Sequence, residues 1–335
     1  MLVKERPAEK NRTQGFPEDI AMLQTFLTVF GQMMIVLALL AAGYILNRFR
    51  LIPKEAELVL SRLVTMLFLP ALTLNTFLSR CTVENLSQNW TLVLYGGAMV
   101  LIVLLCSYPL GKLLSGGDSY LAGIIRYCVT HPNTGGVGTP LALAMFGTMG
   151  LFQLNLFTFL SNVICYSWGI SQLLPGDEKK TLKQTLRGLF NPNFLMMLLG
   201  GLLGLTGIAA KLPDAVFDGL TRLGTCYPVC ALLLTGFVIA DYCPKEIFSD
   251  KRVYAMTALR LVILPLVILI VFRLFHASEL LMLMVCLTVT CPCGMNVVVY
   301  PAAYRKDSRF GASLVLISST LAVVTVPLLY ALFCG

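Results

Sequence analysis

The sequence predicts an all-α integral membrane protein of ten transmembrane helices in two inverted five-helix repeats. Three observations lead there. Of 335 residues, 57% are hydrophobic and 13% charged, with a mean hydropathy of +0.81, leaving too little polar surface to cover a soluble globule. Apolar stretches of about 20 residues, the length that crosses a bilayer, recur along the whole chain. Two segments about 160 residues apart, Val129-Thr130-His131-Pro132-Asn133-Thr134-Gly135-Gly136 and Val289-Thr290-Cys291-Pro292-Cys293-Gly294-Met295-Asn296, break an apolar run near its middle.

Taken in order, the first apolar stretch, 23–47, follows a polar leader over 1–20 of mixed charge, with Lys4, Arg6, Lys10 and Arg12 against Glu5, Glu9, Glu18 and Asp19. The leader lacks the apolar core of a cleaved signal peptide. It is expected to be a disordered tail, or else Met22, directly before the apolar run, is the native start. The second stretch, 57–78, carries Pro70 and the third, 90–114, Pro109. The fourth, 120–147, contains the first break, and the fifth, 151–174, bears Ser161, Asn162 and Ser167. A basic segment over 175–192 reads as a cytoplasmic linker between repeats spanning 21–174 and 193–335. Beyond it lie stretches at 194–210, 217–240 with Pro228, 253–275 with Pro265, 279–303 with the second break, and 310–333 with Pro327. Neighbouring helices accommodate such prolines in a bundle. No stretch alternates as a barrel strand would.

Charge gives the orientation. Loops after the odd spans hold fifteen Lys and Arg, among them Arg48, Lys112, Lys179, Lys180, Arg252 and Arg309, whereas those after the even spans hold only Arg80, Lys211, Arg222 and Arg273. The odd loops are therefore expected in the cytoplasm and both termini outside, in a cell membrane of the bacterial inner-membrane type. The net charge of +8 thus reports topology, and without interleaved aromatic residues the basic loops do not read as a nucleic-acid surface. The 11 cysteines are scattered through spans, and Cys291-Pro-Cys293 has the wrong spacing for zinc, so no metal or cofactor is expected. Nor is there a spaced catalytic constellation, and the chain does not read as an enzyme.

The two halves repeat. Pro70 and Pro228 lie 158 residues apart, Pro109 and Pro265 156, and the Val-Thr-x-Pro segments starting at Val129 and Val289 160. Five spans per half is odd, so the second copy enters the membrane from the opposite face. That is the build of many secondary transporters, whose sites lie at broken helices near mid-membrane. In hydrocarbon a Pro/Gly break is tolerated only where the freed backbone meets protein, water or ligand. The breaks at Pro132, Gly138, Pro292 and Gly294 are accordingly the expected binding site.

Asn133-Thr134-Gly135-Gly136-Val137-Gly138-Thr139-Pro140-Leu141, continuing to Phe146-Gly147, resembles the N-T-G-x-x-G-I-P-L signature of the auxin efflux carrier family, which includes plant PIN proteins and bacterial carboxylate permeases of the malonate type. The likeness extends through Gly43-Tyr44-Ile45, Leu67-Phe68-Leu69-Pro70-Ala71, Asn191-Pro192, Leu264-Pro265, Cys291-Pro292 to Asn296 and Thr325-Val326-Pro327-Leu328. Thr139 stands where Ile is usual, and Cys293-Gly294-Met295 where small residues are. The resemblance implies a fold like that of bile-acid symporters, with helices 4 and 9 crossing as an X, an elevator-type motion and a homodimer.

Half-helices starting after Pro132 and Pro292 aim unpaired N–H groups and positive dipole ends into the crossing, a fit for a small organic anion without a fixed Lys or Arg. Asn133 and Asn296 offer amides there, and Thr130 and Thr134 hydroxyls, with Gly135, Gly136, Gly138 and Gly294 admitting close backbone approach and Met295 beside them. The Asn pair either binds ligand or caps freed backbone. All Asp and Glu fall in loops, the leader or span ends, which disfavours carboxylate-based cation antiport. His131 either carries a proton or stays neutral and hydrogen-bonded. Arg126 and Arg260 are expected to snorkel to the cytoplasmic interface, or else to draw anions at an inner gate. The reading is a secondary carrier of mono- or dicarboxylates, with a sodium-coupled symporter of similar fold or a metabolite-sensing membrane receptor as alternatives.

Overall fold

The structure, a computed structural model, describes residues 18–173, 191–241, 250–303 and 306–334. Most of the polar leader and of the 175–192 linker lies outside them. The described residues are helical apart from short connections and one isolated bridge. We number the helices α1 (Glu18–Arg48), α2 (Ala56–Arg80), α3 (Val83–Ser115), α4 (Ser119–Thr130), α5 (Thr134–Leu173), α6 (Pro192–Leu205), α7 (Asp214–Ile239), α8 (Lys251–Leu274), α9 (Glu279–Val289), α10 (Asn296–Ala303) and α11 (Arg309–Cys334).

Among the described residues seven helices are long and apolar enough to cross a membrane: α1, α2, α3, α5, α7, α8 and α11. The ten apolar stretches of the sequence map onto them differently because three end early or merge. The fourth stretch is cut at His131–Asn133 into α4 and the start of α5, and the ninth into α9 and α10. The sixth forms only the 14-residue α6. At 40 residues, α5 would be about 60 Å long if straight, twice the hydrocarbon thickness. It turns at Gly147, whose φ of 63° and ψ of −159° only glycine adopts readily, so residues on either side form two helices.

Local chemistry starts the short helices. Asp118 caps α4 by accepting from Tyr120 N at 2.9 Å and Leu121 N at 3.1 Å, Asn191 caps α6 through Phe194 N at 3.0 Å, and Ser278 caps α9 through Leu281 N at 3.3 Å. Proline acts in two ways. Pro70 and Pro265 each follow a π-helical turn, Val64–Phe68 and Leu259–Ile263, which widens the helix where a ring would strike the preceding carbonyl. Pro109 and Pro228 sit inside uninterrupted helices.

Helices meet through glycine. A Cβ on Gly43 of α1 would collide with Leu233 O of α7, and one on Gly236 of α7 with Leu40 O of α1. Gly200 and Gly204 of α6 fit against Phe77 and Cys81 of α2 in the same way. Such notches bring backbones into direct contact where no hydrophobic force acts between helices in lipid. The centre of the bundle is α11, 67% buried over its most apolar window, whereas α1 and α2 are 28% buried and turn residues such as Leu27, Ile35, Val59 and Met66 outward. Arg252 and Arg309, near the starts of α8 and α11, pair at 2.7 and 2.6 Å with Asp250 and Asp307, whose carboxyls are held below their ordinary pKa by those hydrogen bonds.

Candidate binding site at the paired helix breaks

The two breaks meet. Residues before a proline avoid the helical region, and His131 is extended at φ −119° and ψ 96°, ending α4. Pro132 lies antiparallel to Cys293 as an isolated bridge, and Asn133 N donates to Pro292 O at 2.8 Å, a bond across 159 residues of chain. A π turn, Thr134–Gly138, then opens α5. Asn133 Oδ1 caps it by accepting from Gly136 N at 3.0 Å, and Asn133 O accepts from Val137 N at 2.9 Å. Gly135 O is held from outside by the Tyr227 hydroxyl of α7 at 2.9 Å. In the second break Cys293 N donates to Ser318 Oγ of α11 at 3.1 Å, and Cys291 Sγ to Leu287 O at 3.0 Å.

A cavity of about 270 Å³ opens beside this junction. His131, Pro132, Asn133, Thr134 and Gly135 of the first break line it, as do Gly294, Met295 and Asn296 of the second. These are eight of the residues expected from the sequence. Four others stand elsewhere. Gly136 is turned behind the Asn133 amide, Gly138 packs against Cys291, Pro292 is buried with its carbonyl bonded to Asn133, and Thr130 donates to Arg126 O at 2.8 Å away from the cavity. Thr130 instead lines a smaller cavity that shares Pro132 and Ser161 with the first.

The lining of the larger cavity contains no Asp, Glu, Lys or Arg. Its polar groups are amides and hydroxyls from several helices. Asn296 Nδ2 donates to Tyr127 Oη at 2.7 Å, and that hydroxyl in turn lies 3.2 Å from Cys165 Sγ. Asn193, which lines the cavity, accepts at Oδ1 from Thr73 Oγ1 at 2.6 Å. The first turns of α5 and α10 open here; the N–H groups of Thr134, Gly136, Val137 and Gly138 are bonded to Pro132 O and to Asn133, and those of Val297, Val298 and Val299 to Gly294 O and Met295 O, so what these ends bring is chiefly their positive dipole. His131 is 4% exposed, its Nε2 unpartnered, and its ring packs 5.0 Å from Tyr127 and 6.2 Å from Trp168. Of the span-five polar residues, Ser161 and Asn162 line the cavity, whereas Ser167 donates back to Val163 O at 2.7 Å.

Sequence reasoning missed Tyr127, Asn155, Asn193 and Tyr227, all of which line the cavity. Tyr127 was accessible, lying four residues before His131 on the same helical face, and Asn193 belongs to the Asn191-Pro192-Asn193 cap. Tyr227 reaches the site only through the packing of α7, which no local pattern encodes. The snorkelling expectation for Arg260 is corrected: it is 2% exposed and enclosed by protein, because α8 packs that face inward against α3, α4 and α9. Arg126 does not run freely to an interface either, since it lies over the Tyr108 ring at 4.8 Å and reaches Gln172 Oε1 at 3.4 Å.

Helices long and apolar enough to cross a membrane, packed around an uncharged polar cavity at paired backbone breaks, define a multi-pass membrane protein. Residues 28–330 match the family described as membrane transport protein, and the chain belongs to that family, the auxin efflux carrier family. No curated protein matches the chain.

Proposed function

We propose that the protein is a secondary carrier of small organic anions, mono- or dicarboxylates, working by elevator-type alternating access around the paired breaks. The observation that carries this reading is the composition of the cavity: amide and hydroxyl donors with two helix N-termini, and no charged side chain. A carboxylate takes N–H and O–H donors and a positive dipole end, and requires no fixed cation. A cation would meet no acidic ligand there.

Ten crossings in two inverted repeats are supported by counting α4 with the start of α5, the rest of α5, α6, and α9 with α10 as crossings beside the other six helices. The glycine-notched pair α1–α7 has its counterpart in the pair α6–α2, as an inverted repeat requires. In this reading the termini lie outside a cell membrane and a homodimer forms. His131 contributes proton coupling, as a residue lining the cavity whose Nε2 is buried without a hydrogen-bond partner.

A thermal-shift screen of carboxylates, amino acids and their amides on detergent-purified protein tests the substrate class, because a ligand bound by the native state raises apparent stability. The expected outcome is a shift with carboxylates that their amides lack, followed by uptake of the same compounds into proteoliposomes. Stabilisation by amides and acids alike, or uptake only of cations, would overturn it. Coupling is read from the pH profile of that uptake, which His131→Gln is expected to flatten; an unchanged profile removes the proton role.

A further inference from the structure

Pro132 and Ser161, which line the large cavity, also line a second, smaller space of about 20 Å³, bounded further by Met99, Val100, Val103, Ile268, Thr288 and Arg260. It is large enough for one water-sized or monatomic group and too small for a carboxylate with its carbon. Arg260 is 2% exposed, and its Nε and Nη2 are buried without a hydrogen-bond partner. None of the ion pairs among the described residues includes it; those pairs join Lys54 to Asp241, Arg252 to Asp250 and Arg309 to Asp307. The ionisable groups facing it are the thiols of Cys128, Cys291 and Cys293 and the His131 ring, all buried.

A guanidinium is always protonated, and an unpaired charge enclosed by apolar residues is among the most costly arrangements in a protein. A single water would satisfy two N–H groups and leave the charge uncompensated. We infer that this space binds a halide-sized monovalent anion, held by the Arg260 guanidinium as the counter-ion of the helix crossing. Ser161 lines both cavities and its hydroxyl has no acceptor among the described residues, so it supplies a further donor beside the guanidinium. Thr130 and Thr288 wall the space without donating to it, since their hydroxyls are bonded to Arg126 O at 2.8 Å and Met284 O at 2.9 Å. Met99, Val100, Val103 and Ile268 exclude the water that otherwise competes with a weakly hydrated anion.

The test is thermal unfolding of the full chain in detergent, with sodium sulfate, an anion too large for the space, replaced stepwise by sodium chloride or bromide at constant ionic strength and no carboxylate present. The expected result is a saturable rise in Tm of a few degrees with either halide. Arg260→Met, which removes the charge at similar length, is expected to abolish the halide response, and Ser161→Ala to raise the half-saturating concentration severalfold. Should Arg260→Met fail to fold, Val100→Phe fills the space while keeping the arginine, and is expected to remove the response likewise. Equal Tm in sulfate and halide overturns the inference, as does an undiminished response in Val100→Phe. A fall in Tm for Cys293→Ser in a protein indifferent to halide also overturns it, because a thiolate would then be the counter-charge.

Discussion

The two breaks use the same residue types and are secured in opposite ways. The first is held largely by its own residues: Asn133 caps the turn through Gly136 N at 3.0 Å, and the exposed Gly135 and half-exposed Thr134 face the cavity. The second is clamped from outside, with Cys291, Pro292, Cys293 and Gly294 all buried and Cys293 N bonded to Ser318 of α11 at 3.1 Å. Every backbone group freed in a membrane interior has to find a partner. A side-chain cap satisfies it locally and keeps the segment near the solute, whereas a hydroxyl on a neighbouring buried helix fixes the segment in the core. Substitutions are therefore expected to separate, acting on binding at the first break and on stability at the second.

The largest effect is expected at the clamp. Ser318→Ala leaves the Cys293 N–H buried without an acceptor, at a cost of about 1–3 kcal/mol. Thermal unfolding in detergent should show a clear fall in Tm, with the affinity of the surviving protein for carboxylates little changed. A Tm equal to that of the wild type would mean that α11 does not hold the second break.

Asn133→Ala comes next. It removes the cap, worth about 1 kcal/mol, together with the amide that faces the cavity. Carboxylate affinity, read by titrated thermal shift, is expected to fall about tenfold, which corresponds to about 1.4 kcal/mol. Gly136→Ala separates the two contributions, because its Cβ would stand 2.6 Å from Asn133 Oδ1 and push the amide out of the cap while leaving it in the protein. Wild-type affinity in Asn133→Ala would remove this residue from the site.

Asn296→Ala tests the side chain that the second break sends into the cavity. Its hydrogen bond to Tyr127 Oη at 2.7 Å is worth about 1 kcal/mol net, and no helix cap is lost with it. The expected outcome is a severalfold weaker affinity with a small drop in Tm. A large drop would place Asn296 with the clamp and not with the solute.

How much of this was legible in the sequence follows from which signals are local. The breaks at Pro132 and Pro292 announce themselves, since proline and glycine act on their own backbone, and apolar runs mark the long helices. The turn at Gly147 was hidden inside a continuous apolar run, where only a positive φ distinguishes it. The bond from Asn133 N to Pro292 O, and the arrival of Tyr227 at Gly135 O, depend on helix packing across the chain. Arg260 was misread for the same reason: its depth along α8 is visible in the sequence, but not that its face turns toward Met99 and Thr288. The prolines divide likewise, Pro70 and Pro265 inducing π turns while Pro109 and Pro228 do not, though all four lie in comparable apolar surroundings.

Gly294→Ala gives the smallest effect and the sharpest comparison with Gly136. At Gly294 an added methyl would lie 3.6 Å from His131 O and 3.7 Å from Pro132 O, ordinary van der Waals distances, and its φ is not in the left-handed region. The protein has room for it, and loss of backbone freedom in the unfolded chain offsets part of any cost, so the unfolding free energy should stay within about 0.5 kcal/mol of wild type, with Tm unchanged or slightly raised. Gly294 nonetheless lines the cavity, and the methyl would occupy solute space. A fall in carboxylate affinity at constant Tm would show that the second break touches the solute through its backbone as well as through Asn296. If affinity also holds, the second break contributes one side chain alone, and the site is built chiefly on the first.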